Sequence, residues 1–388
     1  MALEDELPAQ TAPTPDNFDS AQLADPSQPD PAPPPGHNLR WIFVGSQGLR
    51  AGWSIVITIV LLLLIGAGLS TILVRSHLIA KGSGAAIRTM FLSELATVLA
   101  LLGAVAVTSR IEHRRILDYN LHGPRPLRHF FTGLASGFLA LSLLIGALAA
   151  GGWLHFGPVS LSGLSILRYG AVWACVFLLV GCAEEGIFRC YLQYTLTRGI
   201  NFWWALALVA AICGGLAATT KGNGPWGVYA VAILGLFPCL GLHLRLGARG
   251  AFWHAAWVTS TFFGFVHTGN GGENWIGIFA AAAIGFAFCV SIRLTGSAWW
   301  AIGCHAAWDW AETFFYGTAD SGMKAHGHLL DSQPAGNALW SGGADGPEGS
   351  LLVLGVILLL LVFIYVVYGR RNLAAQQPEP ASLEPASS

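Results

Sequence analysis

Charged side chains are scarce in this chain: Asp, Glu, Lys and Arg together make up only 11% of its 388 residues. A soluble domain typically carries about 25%. Hydrophobic residues make up 54% of the sequence, so a soluble fold would leave large apolar patches in contact with water. The composition therefore excludes an ordinary soluble enzyme. The net charge of −1 also excludes a strongly basic protein that binds nucleic acid.

The sequence also lacks a signal peptide and loop cysteines. Residues 1–38 have no basic start followed by an apolar run; their Pro-rich composition predicts a disordered tail instead. Residues 371–388 predict a similar tail at the other end. All seven cysteines lie in apolar segments without zinc-knuckle spacing, which favours packed free thiols over disulfides.

Long apolar runs fill the remainder of the chain. A helix needs about 20 apolar residues to cross a bilayer, and the sequence predicts an all-α, polytopic transmembrane bundle of about 8–10 spans. Gly224-Pro225 divides the region 202–244, which favours two spans there. The predicted segments are 53–74, 88–108, 130–150, 168–196, 202–219, 226–244, 252–268, 275–292, 297–316 and 350–368.

The same pattern divides the chain into regions. Spans at 39–165 precede a membrane core at 166–316, which is followed by an extramembrane loop at 317–349 and a last span at 350–370. The loop 109–129 is rich in arginine, so the distribution of Lys and Arg predicts that this loop is cytoplasmic. Both termini would then be cytoplasmic, and the protein would lie in the plasma (inner) membrane as a multi-pass protein.

An ionisable side chain inside a span is costly, so each one is a candidate functional residue. Glu184 and Glu185 are adjacent near the middle of a long apolar segment, and Arg189 follows four residues after Glu185. On a helix, Glu185 and Arg189 share a face and can form an ion pair, whereas Glu184 points about 100° away. The spacing predicts that one glutamate is held by arginine while the other is free to act as a base. The alternative is a structural ion pair between helices.

Two histidine motifs follow. Phe263 and His267 are four residues apart at the end of one apolar segment, and His305 and Asp309 are four apart inside another. A single histidine at a span end is more often a packed residue than a functional one. A histidine with a carboxylate one turn away can orient its ring, bind a metal ion or form an ordinary internal hydrogen bond.

Three further polar residues give weaker signals. Glu94 lies several residues inside the second span and fits an interfacial acid as well as a functional one. Glu312 is one turn beyond Asp309 and fits the same polar face. His254 precedes His267 by 13 residues, about 20 Å along a helix, so the two histidines are not expected to share a site.

Two acids, an arginine and two histidines on separate spans can activate a water molecule for attack on an amide. A glutamate would take the proton from water, and histidines would stabilise the tetrahedral oxyanion or hold a divalent metal. Because bulk lipid opposes this chemistry, the helices must enclose a small wet cavity.

The ordered motifs Glu-Glu-x3-Arg, Phe-x3-His and His-x3-Asp, within Ile166 to Tyr316, resemble the signature of the CPBP family, also called the ABI family. This family includes CAAX prenyl endopeptidases and bacterial relatives linked to bacteriocin processing and immunity. The resemblance implies an intramembrane endopeptidase acting on a lipidated, CAAX-type or leader-bearing substrate associated with the lipid bilayer.

The resemblance also implies roles for the motif residues. Glu184 is similar to the general base of the family, and Glu185 with Arg189 to its supporting pair. His267 resembles a residue that contacts the water or the oxyanion, while His305 and Asp309 resemble the remaining polar wall. Phe263 is assigned to substrate binding.

The cofactor is left open at this point. The family is named for metalloproteases, and a divalent metal, most plausibly zinc, would be held by Glu184, His267 and His305. A glutamate-activated water without a metal fits equally well, since the sequence lacks a compact motif such as His-Glu-x2-His. Some relatives carry Asn where this chain has Asp309, and an ionised Asp cannot donate to an oxyanion. Asp309 must then be protonated, orient His305 or bind the metal.

Two other functions are compatible with a polar cluster in a membrane. One is a non-catalytic membrane partner or immunity factor on the same fold. The other is a proton-coupled transporter, although the sequence shows no convincing internal repeat of the kind many transporters carry. The predicted topology also places His267 near the outer end of its span, with Glu184 and His305 deeper.

Overall fold

The structure is a computed structural model that describes residues 40–45, 48–79, 86–219 and 224–369. The predicted terminal tails lie outside these residues. The chain divides into two compact units at residue 50. In the described part of the first unit, a short helix, Arg40–Phe43, leads into a two-stranded antiparallel hairpin of β1 (Val44–Gly45) and β2 (Gly48–Leu49).

Among its described residues, the second unit is a bundle of ten long helices. An all-α architecture is thereby confirmed. The helices are α1 (Ala51–Arg75), α2 (Ile87–Ile111), α3 (Pro126–Ala150), α4 (Leu164–Gly199), α5 (Phe202–Thr219), α6 (Gly224–Leu246), α7 (Ala251–Val266), α8 (Trp275–Thr295), α9 (Trp299–Tyr316) and α10 (Leu352–Gly369).

Each helix corresponds to one of the ten predicted apolar segments. The largest differences are at the starts of α3 and α4, which begin four residues earlier than predicted. The region 202–244, predicted to hold two spans, contains two separate helices, since α5 ends at Thr219 and α6 begins at Gly224. Within the described residues, six helices are long and apolar enough to cross a membrane: α1, α2, α3, α4, α8 and α10. The chain is an integral membrane protein.

Three of the helices contain a π-helical stretch, in which the backbone winds more widely than in an α-helix. In α4 this stretch is Gly186–Leu192, directly after Glu185. In α9 it is Ala311–Tyr316, and in α10 it is Tyr365–Gly369. Such stretches are frequent at functional sites, and those of α4 and α9 both follow predicted site residues.

Helices α3 and α9 make the most extensive pairing in the bundle. A Cβ atom on Gly133 would overlap the carbonyl oxygen of Trp300, and one on Gly137 would overlap that of Cys304. The two backbones are therefore in direct contact along a small-xxx-small stripe of α3, an arrangement common between membrane helices. This contact fixes the backbone of α9 immediately before His305.

Several contacts attach the loop between α9 and α10 to the bundle. Its strand β4 (Gln333–Pro334) pairs antiparallel with β3 (Leu154–His155), which follows α3. At the start of α8, the side chain of Asn274 caps the helix and also donates to the carbonyl oxygens of Gly342 and Gly349. The loop is thus held against the end of the bundle where α8 and α10 begin.

The predicted free thiols are confirmed, since all seven cysteines are unpaired. Five of them are buried, Cys182 is half-buried and Cys175 is exposed. Apolar packing is therefore the main role of cysteine in this chain.

We predict that Gly137→Ala lowers the stability of the protein by about 1–3 kcal/mol, because the new methyl group must push α3 and α9 apart. Gly146→Ala is the matched control, since it lies on the same helix with no atom near the added Cβ; it should be neutral or slightly stabilising. Thermal unfolding in detergent measures both. Equal melting temperatures for the two variants would contradict the close packing.

Two acidic side chains at the start of α8 predict a pH effect on stability. Burial, followed by the neighbouring Asp345, raises the pKa of Glu273 to about 9. Burial also raises the pKa of Asp345 to about 7. Because these pKa values are above those of the unfolded chain, the folded state binds more protons between about pH 4 and 9, and stability falls as pH rises through that window. The melting temperature should therefore decrease from pH 5 to pH 9, and less so in Glu273→Gln. An identical pH profile in that variant would refute this assignment.

Candidate active site

The adjacent glutamates of α4 face different surroundings, as their positions on a helix predict. Glu185 is fully buried. The side chain of Glu184 is 37% exposed and lines a cavity. One carboxylate is thus sequestered in the bundle while its neighbour is accessible.

Glu185 and Arg189 form an ion pair inside the protein. The guanidinium Nε of Arg189 lies 3.3 Å from Oε2 of Glu185, and both side chains are fully buried. The guanidinium also stacks over the ring of Phe263, 4.1 Å from its centroid, a favourable cation–π contact. The absence of a side chain at Gly285 of α8 leaves the space that the guanidinium occupies.

Three carboxylates surround His305 of α9. Its Nδ1 is 2.8 Å from Oε1 of Glu185. Its Nε2 lies 3.4 Å from Oδ2 of Asp309 and 3.8 Å from Oε2 of Glu184. Because Glu185 is paired with Arg189 and accepts, Nδ1 carries the proton in this hydrogen bond. The imidazole therefore connects the buried carboxylate to the accessible one.

His267 lies at the end of α7, where the helix gives way to a single 3₁₀ turn, His267–Gly269. Its Nδ1 is 2.7 Å from the backbone oxygen of Phe263. A carbonyl oxygen only accepts, so Nδ1–H is the donor and Nε2 is left for another partner. The ring of Phe263 contacts the rings of both His267 and His305, at centroid distances of 4.7 and 6.2 Å. Phe263 itself is buried and lies between the two histidines.

Glu184, Phe263, His267, His305 and Asp309 line one cavity of about 460 Å³, whereas the buried pair of Glu185 and Arg189 does not. Glu184, His267 and His305 all line this cavity. The predicted difference in their positions along the membrane spans therefore does not place them in separate sites. Apolar side chains form much of its remaining wall. The polar lining residues are Glu94, Glu184, His267, Asn270, His305, Asp309, Asp320, Ser321 and Glu348.

Three of these lining residues were weak candidates or were not predicted as site residues from the sequence. Glu94 gave only a weak signal, yet it lines the cavity from α2. Asp320 and Glu348 come from the 317–349 loop, where no helical period relates them to the site. His254 is buried beside Phe202 and His243 and does not line the cavity, in agreement with its predicted separation from His267.

The residues assigned to zinc do not form a compact ligand set. Within the described part of the chain, only Glu312, Asp320 and Glu348 place three potential ligand atoms within 4.8 Å of one another. Glu184, His267 and His305 are not such a group. In addition, both ring nitrogens of His305 already face carboxylates.

The walls of the cavity include the first part of α2, α8 and α10, the end of α7 and the middle of α4 and α9. At the opposite end of α2, Glu112 accepts hydrogen bonds from Arg198, Ser54 and Tyr119. This second polar cluster is about 27 Å from Glu94 along α2, so it is separate from the cavity.

Comparison with known proteins identifies the region that carries these motifs. Residues 166–245 and 239–311 match the family model described as Type II CAAX prenyl endopeptidase Rce1-like. No curated protein and no solved structure matches the chain. The match covers Glu184, Glu185, Arg189, His267, His305 and Asp309. This match of residues 166–311 supports membership of the membrane core in the CPBP family of CAAX-type proteases.

Proposed function

We propose that the chain is an intramembrane endopeptidase that hydrolyses a peptide bond in a membrane-associated protein or peptide. Membership of a CAAX-type protease family implies a hydrolase. The observation that carries the proposal is that the two adjacent glutamates differ in burial and in their partners. Glu185 is buried against Arg189 and His305, while Glu184 is accessible in the cavity.

In this mechanism Glu184 is the general base. Its carboxylate accepts a proton from a water molecule in the cavity, and the resulting hydroxide attacks the carbonyl carbon of the scissile peptide bond. The carbonyl oxygen becomes an oxyanion. The protonated Glu184 then gives its proton to the leaving amide nitrogen, the C–N bond breaks, and Glu184 returns to its ionised form.

The histidines stabilise the developing oxyanion. Nε2 of His267 is the ring nitrogen not used by the backbone of α7, so in its protonated form it can donate to the oxyanion. His305 is held by Glu185 through Nδ1 and directs Nε2 toward Glu184 and Asp309. Phe263 acts as a positioning residue, because its buried ring contacts both histidines and the guanidinium of Arg189.

Asp309 orients His305 in this proposal. It occupies a position where some relatives carry Asn, and its Oδ2 lies 3.4 Å from Nε2 of His305. A carboxylate at this distance favours an imidazole that is protonated on Nε2. Asp309 thus acts through His305 and does not itself donate a hydrogen bond to the oxyanion.

The substrate is proposed to be lipidated, CAAX-type or leader-bearing. Part of the cavity wall is apolar, with Met90 on α2 and with Phe177 and Val180 on α4, the helix that carries Glu184. Such a wall suits an apolar lipid or a transmembrane segment next to the scissile bond. The excess of Lys and Arg near the 109–129 loop supports cytoplasmic termini in the plasma membrane.

We predict that Glu184→Gln reduces cleavage at least about 100-fold, because the amide has no base function. Peptide mass spectrometry of membrane fractions should then show uncut precursors that accumulate relative to wild type. Asp331→Asn is the control, since Asp331 is an acid on the extramembrane loop paired with Lys324; it should cleave normally. Both variants should insert and melt like wild type. Undiminished cleavage by Glu184→Gln would eliminate Glu184 as the base and favour a non-catalytic or transport function.

A zinc ion held by Glu184, His267 and His305 is the alternative way to activate water. Because these residues do not form a compact ligand set, we predict that cleavage by the purified protein persists in 1,10-phenanthroline when calcium and magnesium are supplied. Loss of cleavage that added zinc restores would favour the metal instead. Glu184→Gln serves as the inactive reference in this assay.

A further inference from the structure

Three carboxylates converge outside the Glu184–His305 cluster, where α9 ends against the 317–349 loop. Glu312 lies in the π-helical stretch of α9, Asp320 lies just after the helix, and Glu348 lies just before α10. Each offers an oxygen, and these oxygens all lie within 4.8 Å of one another. Residues far apart in sequence are thus brought together at one point.

Glu312 has no partner for its charge in the described structure. Its side chain is fully buried. Neither of its carboxylate oxygens accepts a hydrogen bond from any described residue. No described Lys, Arg or His lies within ion-pair distance of Glu312, Asp320 or Glu348. A buried carboxylate without a hydrogen bond or a counter-ion is costly, so its orientation toward two further acids requires an explanation.

The other two carboxylates are held in place by hydrogen bonds. Thr313 Oγ1 donates to Oδ2 of Asp320 at 2.9 Å. Trp308 Nε1 donates to Oε1 of Glu348 at 2.8 Å, and Ser321 Oγ donates to its Oε2 at 3.2 Å. Such bonds orient carboxylates that ligate metals while leaving lone pairs available. The cluster therefore combines two oriented acids with one buried acid that lacks any partner.

We propose that Glu312, Asp320 and Glu348 bind a hard divalent cation such as calcium, magnesium or manganese. The donor set consists of oxygen alone, which these ions prefer and zinc does not. Oxygens on opposite sides of a calcium ion are separated by up to about 5 Å, so the observed spacing admits one ion. A cation supplies the positive charge that the unpartnered Glu312 lacks.

The bound cation would fasten the extramembrane loop to the helix that carries His305. Asp320 follows the start of this loop and Glu348 marks its end, whereas Glu312 belongs to α9. Asp320 and Glu348 also line the cavity that contains Glu184. The cation is distinct from a zinc ion on Glu184, His267 and His305, and its binding does not depend on the proposed hydrolysis.

Cation binding is tested with the full chain purified in detergent and stripped with a chelator. Calorimetric titration with calcium, magnesium and manganese should reveal one saturable site per chain for at least one of these ions. Glu312→Gln and Glu348→Gln should each weaken binding at least about tenfold. The controls are Asp331→Asn, at a half-exposed acid on the same loop, and Glu184→Gln; both should bind like wild type. The manganese-loaded protein should show no nitrogen coupling in its electron paramagnetic resonance spectrum.

Melting temperatures provide a second readout that does not require tight binding. In chelator, Glu312→Gln should melt at or above the wild-type temperature, because a neutral amide relieves repulsion among the carboxylates. Added cation should raise the melting temperature of wild type but not of Glu312→Gln. The proposal is overturned by any of three results: no saturable binding to wild type, equal binding by Glu312→Gln, or nitrogen coupling that indicates a histidine ligand.

Discussion

The buried contact between Glu185 and Arg189 is the interaction on which the layout of the cavity depends. Glu185 also accepts from His305, and the guanidinium of Arg189 lies on Phe263, which touches both histidines. One ion pair thus relates α4, α7 and α9. A buried ion pair rarely adds much stability over an apolar pair, but removal of one partner leaves an unpaired charge that is strongly unfavourable. Its main effect here is to hold three helices in one arrangement.

That arrangement explains why two neighbouring glutamates behave differently. Adjacent residues on a helix point about 100° apart, so Glu185 enters the core while Glu184 reaches the cavity. Arg189 neutralises the charge of the inner carboxylate, and the outer carboxylate stays available for a reacting water molecule. The histidines extend the division, because His305 is bound to Glu185 through one nitrogen and faces Glu184 through the other.

Helix positions and the spacing of the charged motifs could be predicted from the sequence because both are local properties. The lengths of the apolar runs predicted ten helices. The spacing of four residues predicted that Glu185 and Arg189 share one helix face, and that His305 and Asp309 share another. The contribution of Asp320 and Glu348 could not be predicted in this way. They lie in a loop without a period, and their proximity to Glu312 depends on how that loop folds back on the bundle. Glu94 was only a weak candidate because the residues that share its cavity come from helices far away in the sequence.

The glycine stripe of α3 has a consequence for how this protein can diversify. Because Gly133 and Gly137 meet the main chain of α9 rather than its side chains, this contact positions the backbone just before His305 without depending on the side chains of α9. The apolar wall formed by Met90, Phe177 and Val180 belongs to other helices. Mutations that change the size of this wall leave the main-chain contact between α3 and α9 intact. The selectivity for substrates can therefore change while the backbone at His305 stays in position.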